Sequence, residues 1–277
     1  MTIDEIIALA LREDIGSGDH TSLSAIPPNA QGRAKLLVKE DGVLAGVEIA
    51  QKIFLQVDPH ITFDLFINDG ANVKKGDLAF EVSGSSISLL TAERTVLNFM
   101  QRMSGIATQT RQLVNAVGDL PTKILDTRKT TPMLREIEKW AVRLGGGMNH
   151  RIGLYDMILI KDNHVDFAGG IANAITACKK YIAEKGLQLK IEIETRNLDE
   201  VRQVLEHGGI HRIMLDNFSF ETLKQAVDLI GNRFETEASG GITLQTIRQY
   251  AECGVDYISV GSLTHHINSL DLSLKAV

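Results

Sequence analysis

Apolar residues Ile3, Ile6, Ile7 and Leu11 recur at helical spacing, so the pattern predicts an opening helix over residues 2–13. From residue 32 to 83 the rhythm shortens. Apolar runs at 34–39, 61–66 and 78–82 are bounded by Asp41-Gly42, Asn68-Asp69-Gly70 and Gly76-Asp77, which predicts strands and hairpins. The turns resemble those of lipoyl-type hairpins, but no Asp-Lys-Ala or Asp-Lys-Val attachment motif sits at a tip, which argues against a carrier role. Val96, Leu97, Met100, Met103 and Ala107 then share one helical face. Thr91 is placed to cap that helix and Gly105 to break or kink it.

After Pro121 come six short apolar runs, at 122–126, 157–161, 189–194, 212–216, 235–238 and 256–260. Their starts lie roughly 20 to 35 residues apart, the spacing of a repeated strand–helix unit with a parallel sheet. Polar residues end the runs: Asp126-Thr127-Arg128-Lys129, Lys161-Asp162, Glu192 and Glu194, Asp216-Asn217, Ser239-Gly240-Gly241 and Val260-Gly261-Ser262. Polar groups at the carboxyl ends of successive parallel strands predict a TIM-type barrel with its site on that face. Six runs fall short of eight strands. An open doubly wound sheet is the alternative, weakened because no GxGxxG follows the first run.

The 277 residues suffice for one or two domains without a disulfide or metal staple. With 29 basic and 35 acidic residues, a net charge of −6 argues against a general nucleic-acid surface. No apolar stretch reaches membrane-spanning length. Asp4 and Glu5 precede the first apolar stretch, unlike a signal peptide, and Cys178 and Cys253 have no CxxC spacing. A cytoplasmic protein with reduced thiols is expected.

Against this acidic background, local clusters of cations are informative. Glu192 and Glu194 point to one side of a strand, where ionised carboxylates need a cation or metal, and Lys161 is a natural partner; an exposed edge strand is the bland alternative. In the segment Thr127-Arg128-Lys129-Thr130-Thr131-Pro132, Pro132 suits the first position of a helix capped by Thr131. The free N–H groups of that helix, with Arg128 and Lys129, would hold a phosphate or carboxylate unless the loop merely pairs with surface acids. Gly145-Gly146-Gly147 ends the helix, and His150 and Arg151 follow. Arg151 suits bidentate binding of a carboxylate or phosphate, whereas His150 could donate a hydrogen bond but alone reads more often as a structural residue than a catalytic one. The small residues at Ser239-Gly240-Gly241 and Val260-Gly261-Ser262 let main-chain N–H groups close on a phosphate after the last two strands. Asp216 is a candidate magnesium carboxylate or a helix cap. No zinc spacing and no GxSxG nucleophile motif occurs. These residues imply small, strongly anionic, partly phosphorylated substrates.

The runs AERTVLNFMQRMSGIAT, LDTRKTTP, AVRLGGGMNHRIGLYD, LIKDNH, IEIE, IMLDNF, EASGGI and VGSLTH occur in this order, and with them the chain resembles the quinolinate phosphoribosyltransferase family over nearly its whole length. The resemblance implies transfer of phosphoribosyl from 5-phosphoribosyl-1-diphosphate to quinolinate with magnesium. The products would be nicotinate mononucleotide, diphosphate and carbon dioxide, in NAD synthesis. It implies an N-terminal α/β sandwich domain over residues 1–105, joined by the tail 266–277. An incomplete, about seven-stranded α/β barrel would span 106–265. It also implies homodimers or assemblies of dimers. Arg94 would be lent across the interface to quinolinate; Thr127, Arg128, His150, Arg151 and Lys161 would bind it. Lys129 would sit near the reacting centre and diphosphate. Glu194 and Asp216 would serve the ribose and magnesium, and Ser239, Gly240, Gly241, Val260, Gly261 and Ser262 the 5-phosphate. Met133 stands where many relatives have glycine, and Trp140 where many have tyrosine. The alternatives are a paralogue of this fold associated with molybdenum transport, a non-catalytic anion-binding barrel, and a nicotinate-specific transferase, which would not need so many cations.

Overall fold

A computed structural model describes residues 2–277. It divides into two compact units. The first holds residues up to Arg111 with Thr130–Gly146 and Ser262–Val277; the second holds Gln112–Lys129 and Gly147–Gly261.

α1 (Ile3–Ile15) starts in a capping box: the Thr2 hydroxyl accepts the Glu5 N–H, and the Glu5 carboxylate accepts the Thr2 N–H at 2.7 Å. Its Ile6, Ile7 and Leu11 are buried, the stripe seen in the sequence. α2 (His20–Ala25) is capped by Asp19. Then come β1 (Gln31–Val38), β2 (Gly42–Val43), α3 (Val47–Val57), β3 (Thr62–Leu65), β4 (Asn72–Val73), β5 (Leu78–Ser85) and α4 (Ser86–Val117). α3 corrects the expectation of strands and hairpins alone. Val47, Ile49, Ala50, Ile53 and Phe54 form its buried face, a helical stripe set between strand-like runs. Nor are the strands simple hairpins, since β2 pairs with β4, and β1 and β3 both pair with β5. α4 begins before Thr91, whose hydroxyl instead donates to Asp19, and it runs unbroken through Gly105. Glycine is needed there for close approach rather than as a break: a Cβ would lie 2.2 Å from the Asn268 carbonyl oxygen.

The chain continues through β6 (Lys123–Leu125), α5 (Arg135–Leu144), β7 (Ile158–Ile160), α6 (Asp162–Ala168), α7 (Ile171–Lys185) and β8 (Ile191–Thr195). α8 (Leu198–His207), β9 (Arg212–Asp216), α9 (Phe220–Ile230), β10 (Glu235–Ser239), α10 (Ile247–Glu252), β11 (Tyr257–Ser259), α11 (Ser262–His265) and β12 (Leu272–Ala276) complete it. In the first unit, β12, β1, β5 and β3 form an antiparallel sheet in that order. In the second, the six expected runs form an all-parallel sheet, β6-β11-β10-β9-β8-β7. The sheet has six strands where about seven were expected; an isolated parallel bridge from Leu125 to Met148 adds one residue at the edge of β6.

α5 starts three residues later than Pro132 would set it, with Leu134 at its N-cap and no side-chain cap. The Thr131 N–H is not free for an anion; it donates to Glu138 Oε2 at 3.1 Å. Arg102 holds the same carboxylate, Nε to Oε1 at 2.9 Å, and its Nη2 donates to the Thr131 hydroxyl at 2.6 Å. Between Pro132 and the helix, Met133 takes a positive φ of 71°. That conformation suits glycine.

Candidate active site

The site lies in the second unit, at the carboxyl ends of the parallel strands, where the next loops carry the polar residues. Asp126, fully buried after β6, ties two loops together. Its N–H donates to the Met148 carbonyl at 3.2 Å, and its Oδ1 accepts the His150 N–H at 2.8 Å. This brings the Thr127–Lys129 loop beside His150 and Arg151 without requiring a helix terminus. Thr127 accepts the Lys129 N–H at 3.0 Å. Burial and the adjacent Arg128 guanidinium both push Arg151 down, which places two like charges together. The Arg151 Nη1 donates to the Met157 carbonyl at 3.2 Å.

A second group sits where β8, β9 and β10 end. Lys161 Nζ lies 3.7 Å from Glu194 Oε2. Burial raises Glu194, with Lys161 opposing and Asp216 adding to the rise. Burial also raises Asp216, while Asn217, Lys161, Ser239 and Lys129 act to hold it down. Lys129, Lys161, Glu194, Asp216 and Ser239 therefore form one group. Asp216 caps no helix; Ser219 caps α9. Beside Asp216, the φ of Gly240 is 98°, and a Cβ there would lie 2.2 Å from Asn217 Oδ1. Only glycine fits, so the Gly240-Gly241 backbone stays bare toward the strand ends. Val260 hydrogen-bonds to Leu125 at 2.9 Å, and Gly261 follows it. Ser262 opens α11 in the first unit, and Arg94 is exposed on α4.

Inside the sheet lies a third group that sequence reasoning only half found. Glu192 and Glu194 share one side of β8, as expected, but only Glu194 pairs with Lys161. Glu192 Oε2 lies 3.0 Å from His150 Nε2 and 4.0 Å from Arg212 Nη1. Glu237 Oε2 lies 3.5 Å from His150 Nε2 and accepts from Arg212 Nη1 at 2.9 Å. The alternating acids Glu235 and Glu237 of β10 repeat the pattern of Glu192 and Glu194, a signal that could have found Glu237. Burial works against charge on His150, but Glu192 and Glu237 push it up to about 9. Burial and Glu237 push Glu192 up to about 7, while His150 holds Glu237 down against its burial. Charge alone thus favours a cationic ring. The Arg151 N–H, 2.7 Å from His150 Nδ1, favours the opposite, because it needs an acceptor and would repel a second ring proton. The geometry therefore puts the ring proton on Nε2 and the cluster's extra proton on Glu192.

A groove of about 660 Å³ lined by Lys179, Lys190 and His211 lies at the other, amino ends of β8 and β9, away from these groups.

An incomplete parallel barrel whose strand ends carry paired cations, half-buried acids and bare glycine loops defines an α/β-barrel enzyme of anionic, phosphorylated substrates. The family model described as "Quinolinate phosphoribosyl transferase, N-terminal domain" matches residues 19–104, and that of the C-terminal domain matches 106–275. The chain belongs to the quinolinate phosphoribosyl transferase family. It is 46% identical over 288 residues to quinolinate phosphoribosyltransferase [decarboxylating] 2, mitochondrial, of Nicotiana glauca, covering 99% of this chain and 82% of that protein. It is 48% identical over 285 residues to the chloroplastic nicotinate-nucleotide pyrophosphorylase [carboxylating] of Arabidopsis thaliana, covering 98% and 81%. The crystal structure of NadC from Streptococcus pyogenes superposes with a TM-score of 0.94 at 42% identity, covering 99% of this chain and 97% of that one.

Proposed function

We infer that the chain transfers phosphoribosyl from 5-phosphoribosyl-1-diphosphate to quinolinate with decarboxylation. The products are nicotinate mononucleotide, diphosphate and carbon dioxide, in NAD biosynthesis. The observation that carries this is the pairing of Arg128 with Arg151 against their mutual repulsion, beside Lys129 and Lys161. In a protein of net charge −6, such a local gathering of like charge suits a multiply charged anion. Quinolinate, with two adjacent carboxylates, is such an anion.

Arg128, Arg151 and Lys161 bind the carboxylates, with Thr127 beside them. The Ser239–Gly241 loop and the Val260-Gly261-Ser262 segment take the 5-phosphate through main-chain N–H groups. As the bond to diphosphate breaks, positive charge grows on the anomeric carbon; Glu194 stabilises it and Lys129 faces the leaving oxygens. Magnesium fits Glu194 and Asp216, whose hard carboxylate oxygens are raised by burial and so favour an added cation. When bound, it neutralises charge on the diphosphate. Exposed Arg94 suits a role across a homodimer, completing the neighbour's quinolinate site. No described helix is long and apolar enough to cross a membrane, and the two free cysteines fit the cytoplasm that we propose as location.

The test is to mix purified protein, quinolinate, the phosphoribosyl donor and magnesium, and measure nicotinate mononucleotide and carbon dioxide. Product from quinolinate and none from nicotinate is expected; the reverse preference would overturn the assignment.

A further inference from the structure

The interior group of His150, Glu192, Glu237 and Arg212 has no part in the reaction as derived above, yet it is built with care. Arg212 is fixed from several sides. Its Nη1 donates to Glu237 at 2.9 Å, its Nε and Nη2 lie 3.2 and 3.1 Å from Glu235 Oε2, and its guanidinium carbon stands 3.9 Å from the Tyr257 ring centre. Arg212 thereby holds two fully buried carboxylates, and these face Nε2 of His150. The other ring nitrogen, Nδ1, accepts the Arg151 N–H, and the His150 N–H is on Asp126. Nδ1 is thus committed within the protein, Nε2 faces the two carboxylates at 3.0 and 3.5 Å, and the side chain is only 6% exposed.

We propose that Glu192, Glu237 and Arg212 are positioning residues that lock the His150 ring, and through its Nδ1 the backbone of Arg151, in the conformation that aims Arg151 at quinolinate. His150 itself binds no substrate carboxylate. This revises the role which the family resemblance gives it and rests on the function proposed above. The ligand atoms of His150, Glu192 and Glu237 lie within 4.8 Å of one another, a spacing that also admits a metal. Arg212 argues against one, because a divalent ion added to it would leave this buried group with excess positive charge.

The experiment measures KM for quinolinate and for the phosphoribosyl donor, with kcat, in the full chain and in Glu192→Gln, Glu237→Gln, Arg151→Lys and the double variant Glu192→Gln/Arg151→Lys. Glu192→Gln is expected to raise the quinolinate KM about tenfold, as when a buried partner is lost, with the donor KM unchanged within about twofold. If Glu192 acts through Arg151, the double variant is no worse than Arg151→Lys alone. Effects that multiply, or equal rises in both KM values, would overturn the proposal. A variant that fails to fold leaves a direct measurement on the unaltered protein, the nitrogen NMR signals of the His150 ring. A proton on Nε2 and none on Nδ1, with and without quinolinate, is expected. A proton gained at Nδ1 when quinolinate binds would overturn the proposal. Absence of product from the unaltered protein would instead remove the proposed function, and the ring protonation is read without turnover.

Discussion

Glu192 and Glu194 are two residues apart on one strand, point the same way, and face opposite situations. Glu194, at the rim, pairs with a Lys161 side chain that is 49% exposed. Glu192, one layer down by about 7 Å, has no exposure and meets only protein groups. The same residue type therefore does two jobs, decided by depth. At the rim, charge is left available to bind and stabilise what arrives from solvent. In the interior, charge is used up on neighbours and turned into rigidity. The largest expected effect tests the rim. Arg151→Ala should lower kcat/KM for quinolinate by about 100-fold or more while sparing donor binding, since it removes a charged partner of a desolvated anion. Steady-state kinetics with each substrate varied in turn would show this. A donor KM that rises equally would merge the two regions and break the comparison.

Next in size is Glu194→Gln, which keeps shape and removes charge. A loss of about 100-fold in kcat with a small change in the quinolinate KM is expected, as for other preorganised groups aimed at transition-state charge. Single-turnover measurements separate this from slow product release. If Glu194→Gln changed the quinolinate KM and left kcat intact, the rim acid would be a binding group only.

The contrast also explains what could be read from the chain alone. The six parallel strands were legible because each is a short apolar run closed by polar residues, as strands buried on both faces must be. α3 was not, since its stripe of Val47, Ile49, Ala50, Ile53 and Phe54 sits among runs of strand length. The rim residues were legible as strand-end cations and acids. The interior partners were not: Arg212 merely opens a strand, and although Glu235 and Glu237 repeat the alternation of Glu192 and Glu194, only the closed sheet brings Glu237 and Arg212 to His150. The expected anion site at Thr131-Pro132 failed for a related reason: Glu138, seven residues on, claims the Thr131 N–H.

The interior group should also carry more pH-dependent stability than the rim, where burial raises Glu194 and Asp216 by less. Glu192 rises from an ordinary 4.5 to about 7, so the folded chain keeps a proton the unfolded chain has lost, and stability falls as pH rises from 4.5 through 7. His150, raised from 6.5 to about 9, has the same sign: its contribution is complete below 6.5 and lost through 9. The unfolding free energy should fall as pH rises from 4.5 through 9, by about 1.4 kcal/mol per pH unit for each proton that the folded chain holds in excess of the unfolded one. Denaturant titrations without divalent metal at several pH values measure it. Glu192→Gln should flatten the slope more than Glu194→Gln does. A slope that survives Glu192→Gln and vanishes with Glu194→Gln would reverse the assignment of depth to role.

The smallest effect belongs to neither group and calibrates both. Met133 has a φ of 71° and is 63% exposed, in the loop after Lys129. Holding a side chain in that conformation costs about 1 kcal/mol, which Met133→Gly removes. Glycine also loosens the unfolded chain, which gives back about 0.5–1 kcal/mol. The two nearly cancel, so the thermal midpoint should rise by less than about 2 °C. Both KM values should stay as they were, because the loop is pinned on its far side by the Arg102–Glu138 grip on Thr131 rather than by Met133. Calorimetry and the same kinetic assay decide it. A large change in quinolinate KM from so small a change in stability would mean that loop strain, and not the buried cluster, aims the cations of the rim.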